Sequence, residues 1–141
     1  MPTNHRITLL TVSGEVEGLL LQNDVKWNEG RPNCRLELTA MGRTIAAEGI
    51  DWFEAIIGIR QQIEPEGLLL NVYGASRNVW PSGMCRNMGM GLKAYKMQIG
   101  KQAEKSDLVS VFASGPDVEP ATIEEQRNFK DAWFASFQAP A

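Results

Sequence analysis

The first half of the chain alternates apolar and polar positions with a period of two, which is the pattern of β-strands that bury one face. Residues 7–12 form the first such run, residues 13–14 supply a turn, and residues 15–19 form the returning strand. A second pair covers residues 34–46, with its turn at residues 41–42. The pattern therefore predicts two β-hairpins in the N-terminal half.

The segment between these hairpins, residues 23–33, is rich in turn-forming residues. Asn, Asp, Gly and Pro recur along it and interrupt any strand pattern. We expect a loop here that carries a short edge-strand fragment around Val25 and Trp27.

The pattern changes to a helical period at Asp51, where Asp51-x-x-Glu54 forms a capping-box pattern ahead of an apolar face. The helix is expected to end near Glu64, because Pro65 disfavours helical geometry in the residue before it. Residues 68–73 follow as a nearly continuous apolar run. Such a run is typical of a central strand that is covered on both faces.

Two more helices are predicted in the last third of the chain. Ser82 has the side chain of a helix cap, and apolar residues recur at helical spacing from about residue 83 to residue 99. After an apolar run at residues 108–112, which predicts a strand, the capping box Thr122-x-x-Glu125 opens the final helix. The methionines of the middle helix are expected to fill the core: Met84, Met88, Met90 and Met97.

This order of elements predicts an α+β fold, with N-terminal antiparallel hairpins followed by helix, strand, helix, strand and helix. A single layer of helices would cover a mostly antiparallel sheet. Residues 68–112 are also compatible with one right-handed βαβ crossover. We expect one domain spanning residues 1–141, with residues 138–141 frayed.

Composition narrows the class of protein. The chain has 141 residues, of which 43% are hydrophobic and 22% are charged, close to the globular average. Its longest apolar runs fall far short of the ~20 residues that a membrane span requires. The N-terminal segment lacks the apolar stretch of a signal peptide. We therefore expect a cytoplasmic protein that does not associate with membranes.

Candidate catalytic chemistry is sparse. His5 is the sole histidine, and it lies in a terminal segment that we expect to fray. A Ser-His-Asp triad or a histidine zinc site would have to use it, so the sequence disfavours both. Cys85 beside Arg86 is the best candidate nucleophile, but without a neighbouring histidine we favour a structural role. The sequence predicts no catalytic residue, no metal site and no cofactor.

The middle third of the chain is unusually free of acid. No aspartate or glutamate occurs between residues 67 and 103, although the whole chain has a net charge of −3. This asymmetry predicts a local positive patch, which is either a solvated basic face or a surface for a phosphate, a nucleotide or an acidic protein. A pI of about 5.2 argues against nucleic acid. The cations of the stretch are Arg77, Arg86, Lys93, Lys96 and Lys101.

Two features of this stretch allow alternative interpretations. Free backbone amides at the predicted helix start, Ser82-Gly83, favour an anion, which Arg77 could help to hold. Trp80, held by the proline after it, is either a core residue or an anchor at a protein interface. The Gly-rich GMGLKA matches G-x-G-x-x-A, but it lies within the predicted helix, so we favour a packing role for its glycines.

The block DWFEAIIGIRQQIEPEG followed by LLLNVYGASRNVWPSGMCRNMGMGLKAYKM resembles a family of small bacterial proteins. In that family a YGAS-R-N-V-W-PSGM segment precedes a Gly-rich GLKAY-type helix, and the resemblance covers residues 51 to about 112. In size and acidity the chain is also similar to bacterial immunity proteins, which neutralise toxins by binding and covering the toxin's active site.

This second resemblance implies a non-catalytic binding protein whose partner is a cognate toxin. We place its contact residues where an aromatic lies beside arginines. The alternative is an enzyme or small-ligand protein that holds a phosphate or carboxylate at Ser82-Gly83 with Arg77, and self-association is left open. The predicted contact residues are Arg77, Asn78, Trp80, Ser82 and Arg86.

Overall fold

A computed structural model describes residues 1–137, so the predicted fraying of residues 138–141 lies outside the described part. The fold is α+β, as the sequence predicts. The strands of residues 1–137 are β1 (Thr3–Thr11), β2 (Gly14–Gln22), β3 (Lys26–Asn28), β4 (Arg31–Ala40), β5 (Arg43–Gly49), β6 (Leu69–Leu70), β7 (Val79–Trp80), β8 (Lys93–Lys96) and β9 (Leu108–Ser110), and the α-helices are α1 (Trp52–Ile63), α2 (Gly83–Asn87) and α3 (Ile123–Ala135).

The first six strands form one antiparallel sheet, which we call the large sheet. β4 pairs with β2, β3 and β5, while β1 pairs with β2 and β6. Both predicted hairpins are confirmed, as is the predicted edge fragment, which is β3. The turn between β4 and β5 has left-handed φ angles of 51° at Met41 and 77° at Gly42. Such angles match the twist of a two-residue hairpin.

Helix α1 lies across one face of the large sheet and packs mainly on β4 and β5. It begins where expected, because the amide of Glu54 donates a 2.7 Å hydrogen bond to Oδ1 of Asp51. The carboxylate of Glu54 reaches back one residue further than a capping box requires and accepts from the amide of Ile50. The core between helix and sheet is formed by Leu9, Leu20, Leu36, Leu38, Phe53, Ile56, Ile59 and Ile63.

The predicted middle helix at residues 83–99 is wrong. α2 ends at Asn87, and the chain then turns through Met90 and Gly91, whose φ angles are 57° and 69°. The backbone of Gly91 packs so closely on the start of α1 that an added Cβ would lie 2.9 Å from the amide nitrogen of Phe53. After this turn the chain continues as β8 rather than as helix.

β7, β8 and β9 form a second, three-stranded sheet, which we call the small sheet. Both of its pairings are antiparallel, so the right-handed βαβ crossover considered for residues 68–112 does not form. The predicted central strand at residues 68–73 is also wrong. β6 is a two-residue strand that pairs with β1, and the chain leaves the sheet in a short 3-10 turn at Tyr73–Ala75.

Helix α3 closes the fold by packing against α1 and β7. Its predicted capping box is present: the amide of Glu125 donates to Oγ1 of Thr122, and the Glu125 side chain accepts from the amide of Thr122. Among residues 1–137, no helix combines the length and apolar character that crossing a membrane would need.

Candidate functional site

The small sheet presents one face to the core and the other to a groove. Val79 and Ala94 are fully buried on the core side. Because side chains alternate along a strand, Trp80 and Tyr95 point to the opposite side. They are direct cross-strand partners, and Tyr95 is in turn paired with Leu108. The antiparallel register thus places three apolar side chains in a row on the outer face.

Helix α3 supplies the opposite wall of this groove. Its last turn carries Trp133 and Phe134, and Phe137 follows directly after the helix. Together with Trp80 and Tyr95 they line an open concavity of about 520 Å³ whose surface is mostly apolar. We call it the apolar groove. Its volume lies within the range of pockets that bind small ligands or partner side chains.

The aromatic cluster at the end of α3 is held in place by hydrogen bonds to the loop that follows β8. Nε1 of Trp133 donates a 2.9 Å hydrogen bond to the carbonyl oxygen of Lys101. The amide of Gly100 donates to Oγ of Ser136 at the same distance, 2.9 Å. Phe134 packs edge-on against Trp133 and is still 52% exposed. The groove therefore presents a large apolar side chain from a fixed position.

Trp80 combines the two roles that the sequence left as alternatives. One contact is with the core, where its ring packs edge-to-face on Phe53 with the ring centroids 5.1 Å apart. A second is with α3, where Nζ of Lys130 lies 4.9 Å from the Trp80 ring centroid. The half-buried indole also lines the apolar groove. It is thus a core side chain with one part at the surface.

A second concavity of about 390 Å³ adjoins the apolar groove, and we call it the polar cleft. Met97 and Gln102 line both, so the two lie on either side of the segment that follows β8. The polar cleft also contains the ring of Phe129, one helical turn before Trp133. Its polar lining includes Asn78, Lys96, Gln98, Lys101, Asp107 and Glu119.

The predicted positive patch is largely neutralised, which corrects the electrostatic prediction. Nη2 of Arg77 lies 2.9 Å from Oε1 of Glu119, and its guanidinium stacks 4.6 Å from the centroid of the Phe129 ring. Nζ of Lys96 lies 3.1 Å from Oδ2 of Asp117. These carboxylates come from outside the acid-free stretch, so the composition of the stretch alone could not reveal them.

Arg86 is also paired with a carboxylate, which lies at the start of α1. Its Nε donates a 2.8 Å hydrogen bond to Oδ2 of Asp51, the buried cap of that helix. The guanidinium also lies 5.5 Å from the centroid of the Phe53 ring. Of the five cations in the stretch, only Lys93 and Lys101 have no carboxylate oxygen within 4.0 Å among residues 1–137.

The structure does not bring together the three residues of the alternative anion site. Oγ of Ser82 accepts a 3.0 Å hydrogen bond from the amide of Cys85, so it caps α2 as predicted. α2 has only five residues, too few for a substantial helix dipole. Ser82 and Gly83 line the apolar groove, whereas Arg77 is engaged by Glu119. These contacts give the anion hypothesis no support, and it stays a prediction.

Cys34 and His5 have structural environments. Burial raises the pKa of the Cys34 thiol to about 11, with smaller contributions from the negative charges of Asp51 and Glu54. His5 does not fray, because its ring stacks on Phe112 with centroids 4.4 Å apart and bonds to the Gln22 side chain. No group of three His, Cys, Asp or Glu side chains in the described part of the chain could hold a metal ion.

Sequence reasoning missed several residues of this surface. Trp133, Phe134 and Phe137 were visible as apolar positions of the last helix, but their spacing is that of an ordinary core stripe, so the sequence did not mark them as the wall of a groove. The prediction that Met84 and Met88 fill the core is wrong, because they are 70% and 81% exposed on α2. The unusual methionine content of this segment was the available signal.

Comparison with protein-family models gives no match for this chain, and neither does comparison with the curated proteins. The site is therefore interpreted from its own geometry.

Proposed function

We propose that this protein is a non-catalytic binding protein of the immunity or inhibitor class, which neutralises a cognate bacterial toxin by covering the toxin's active site. The apolar groove is the centre of its contact surface in this proposal. The observation that carries it is the groove itself: an open, mostly apolar concavity of about 520 Å³ walled by Trp80, Tyr95 and Trp133.

The composition of this surface supports a protein partner. Tryptophan, tyrosine, phenylalanine and methionine are enriched at the centres of protein interfaces, where buried aromatics contribute most of the binding energy. Phe134 and the two exposed methionines of α2 extend the apolar surface beyond the groove. α2 begins at Gly83, which is itself a groove residue. An interface of standard size would bury roughly 800 Å² on this protein.

The polar side chains of the groove favour binding over catalysis. Ser82 is the hydroxyl that a nucleophilic mechanism would use, but its oxygen caps α2. Among residues 1–137, no histidine, carboxylate or lysine is hydrogen-bonded to it, as activation of a serine requires. Gln102, another polar side chain that lines the groove, has no acid-base chemistry.

The test uses the product of the gene adjacent to the one that encodes this chain, purified and titrated against the wild type and two variants. Phe134→Asp places a charge on the groove, and we expect at least about tenfold weaker binding. Trp27→Asp is the matched control, because Trp27 is another exposed aromatic, 64% accessible, on β3 of the large sheet. It should change the affinity less than about twofold.

Both variants are first compared with the wild type by circular dichroism, so that loss of folding is not read as loss of binding. A second readout is growth of cells that express the adjacent gene with each variant. The proposal predicts protection by the wild type and Trp27→Asp, and weaker protection by Phe134→Asp. Failure of the adjacent product to bind the wild type, or equal losses in the two variants, would contradict it.

A further inference from the structure

Helix α3 forms one wall of the apolar groove, and we propose that this wall moves: α3 undocks as a unit and docks again, while α1 and the large sheet stay folded. The groove is wide when α3 is undocked and has the shape described above when α3 is docked. The movement belongs to the free protein, so it goes beyond the proposed function and holds whatever the groove binds.

α1 and α3 are attached to the rest of the fold in different ways. α1 buries seven of its twelve residues, and only one of the seven, Arg60, is polar. α3 has thirteen residues, all of them described, and Gln126 is the single buried one. Helices in proteins are stabilised mainly by the packing of an apolar face. Undocking α3 therefore exposes far less buried surface than removing α1 from the large sheet would.

The buried anchor of α3 is a polar side chain. The Gln126 amide donates to the carbonyl oxygens of Gly74 and Val79, at 3.1 and 2.8 Å, and its Oε1 accepts from Arg60. Water replaces such bonds when the helix moves away, so their net contribution to docking is small. Arg60 keeps its hydrogen bond to Glu64, which lies at the end of α1 itself. The undocked state therefore leaves the Arg60 charge with its carboxylate partner.

The other contacts of α3 lie at the surface of the groove. Phe129 and Trp133 are half-buried. Nζ of Lys130 lies 4.9 Å from the centroid of the Trp80 ring, so this contact joins the two walls. At the end of the helix the Trp133 indole donates to the carbonyl oxygen of Lys101. Releasing both contacts separates the two walls and leaves the core under α1 intact.

The chain that leads into α3 provides the fixed point of the movement. Ala121 is buried, and its amide donates to the carbonyl oxygen of Ala75. Two residues earlier, the carbonyl oxygen of Glu119 accepts from the amide of Arg77. These bonds do not involve α3, so they persist when the helix undocks. α3 therefore pivots at its cap, Thr122.

Native-state hydrogen exchange of the ¹⁵N-labelled protein, measured by NMR in low concentrations of urea, tests the proposal. We expect the amide of Phe129, in the middle of α3, to have a protection factor at least about tenfold lower than that of Ile59 in α1. Two N–H groups report docking directly, because they bond between α3 or its cap and the segment that follows β8: the Gly100 amide and the Trp133 indole. Their protection factors should match that of Phe129 within about threefold.

Fraying of α3 from its end would give a different pattern. Gly100 and Trp133 would then lose protection while Phe129 stayed as protected as Ile59. That pattern would overturn the proposal. Equal protection of all four groups would also overturn it, because α3 would then open only by global unfolding.

A core substitution in the large sheet separates the two kinds of opening. Ile7→Val on β1 should lower the protection of Ile59 by roughly two- to twelvefold, the usual effect of this change in a core. The protection of Phe129 should not change, because the large sheet stays folded when α3 undocks. Ile50→Val is the matched control at a position that is 60% exposed, and it should change neither. A parallel loss at Phe129 in Ile7→Val would show that α3 and the sheet open together, which contradicts a movable wall.

Discussion

The guanidinium of Arg60 is fully buried and donates a hydrogen bond to Oε1 of Gln126, which lies 66 residues further along the chain. Arg60 also donates to Glu64, the C-cap of α1, and to the carbonyl oxygen of Ala121 ahead of α3. The Gln126 amide in turn donates to the carbonyl oxygen of Val79, the first residue of β7. This network therefore connects α1, α3 and the small sheet, and so fixes both walls of the apolar groove.

We predict that Arg60→Met destabilises the protein by about 3–5 kcal/mol, because it leaves buried acceptors without a donor. Gln126→Leu should cost roughly 2–3 kcal/mol by the same mechanism. The double variant should lose less stability than the sum of the two single variants, because each single change leaves the other side chain without its hydrogen-bond partner. Urea unfolding measures all three. Glu124→Ala, an exposed change on α3, is the control, and strictly additive losses would contradict the network.

Local signals in the sequence predicted much of the fold. The turn at Met41 and Gly42 and the caps at Asp51 and Thr122 depend on residues within four positions of one another. Steric limits on φ and the hydrogen bonds of a cap operate at that range, so a single sequence carries the information. The hairpins, α1 and the start of α3 were predicted correctly for this reason.

The error at residues 83–99 has the opposite cause. Apolar residues at helical spacing predicted a helix, and the pattern Lys-Ala-Tyr-Lys at residues 93–96 does not show the alternation of a strand. The choice is made by partners that are remote in sequence: β8 pairs with β7 and β9. Gly91 adds a left-handed turn that packs against the start of α1. Neither influence can be read from a local pattern.

Three of the five predicted contact residues line the two concavities. Trp80 and Ser82 do line the apolar groove, and Asn78 lines the polar cleft. Arg77 and Arg86 were placed on the same surface, but each is engaged by a carboxylate from another part of the chain. The meeting of Trp80 with the aromatic end of α3 depends on how that helix docks, which periodicity does not specify.

Two glycines, one at the start of α2 and one in the turn that follows it, provide a second prediction. Gly91→Ala should destabilise the protein by about 1–3 kcal/mol, because φ is +69° and the added Cβ would lie 2.9 Å from a backbone nitrogen. Gly83→Ala should be neutral or stabilising by up to about 1 kcal/mol, because its position is helical and open. Thermal and urea unfolding measure both. Equal effects of the two variants would show that the close approach at Gly91 is unimportant.

Cys34 provides a prediction about pH. Its thiol has a pKa of about 11 in the folded protein, above the ordinary value of 9.0 that applies to the unfolded chain. Between these values the unfolded chain loses the thiol proton while the folded protein retains it. The stabilisation is therefore fully present below about pH 9 and is lost as the pH rises towards 11.

The measurement compares the free energy of unfolding of the wild type with that of Cys34→Ala across this range. Other groups titrate in both proteins, so only the difference between them reports on Cys34. We expect the advantage of the wild type to shrink with increasing pH, by at most about 1.4 kcal/mol per pH unit. A constant or growing difference would contradict the raised pKa.

The hydrogen bond from Trp133 to the carbonyl of Lys101 provides the last prediction, because it attaches the segment that follows β8 to α3. Trp133→Phe keeps an aromatic ring but removes the donor, and we expect a loss of about 0.5–1.5 kcal/mol. Amide hydrogen exchange should accelerate at Gly100, whose own bond to Ser136 holds the same segment. Trp27→Phe on β3 is the control. Unchanged exchange at Gly100 would show that other contacts hold the segment that follows β8.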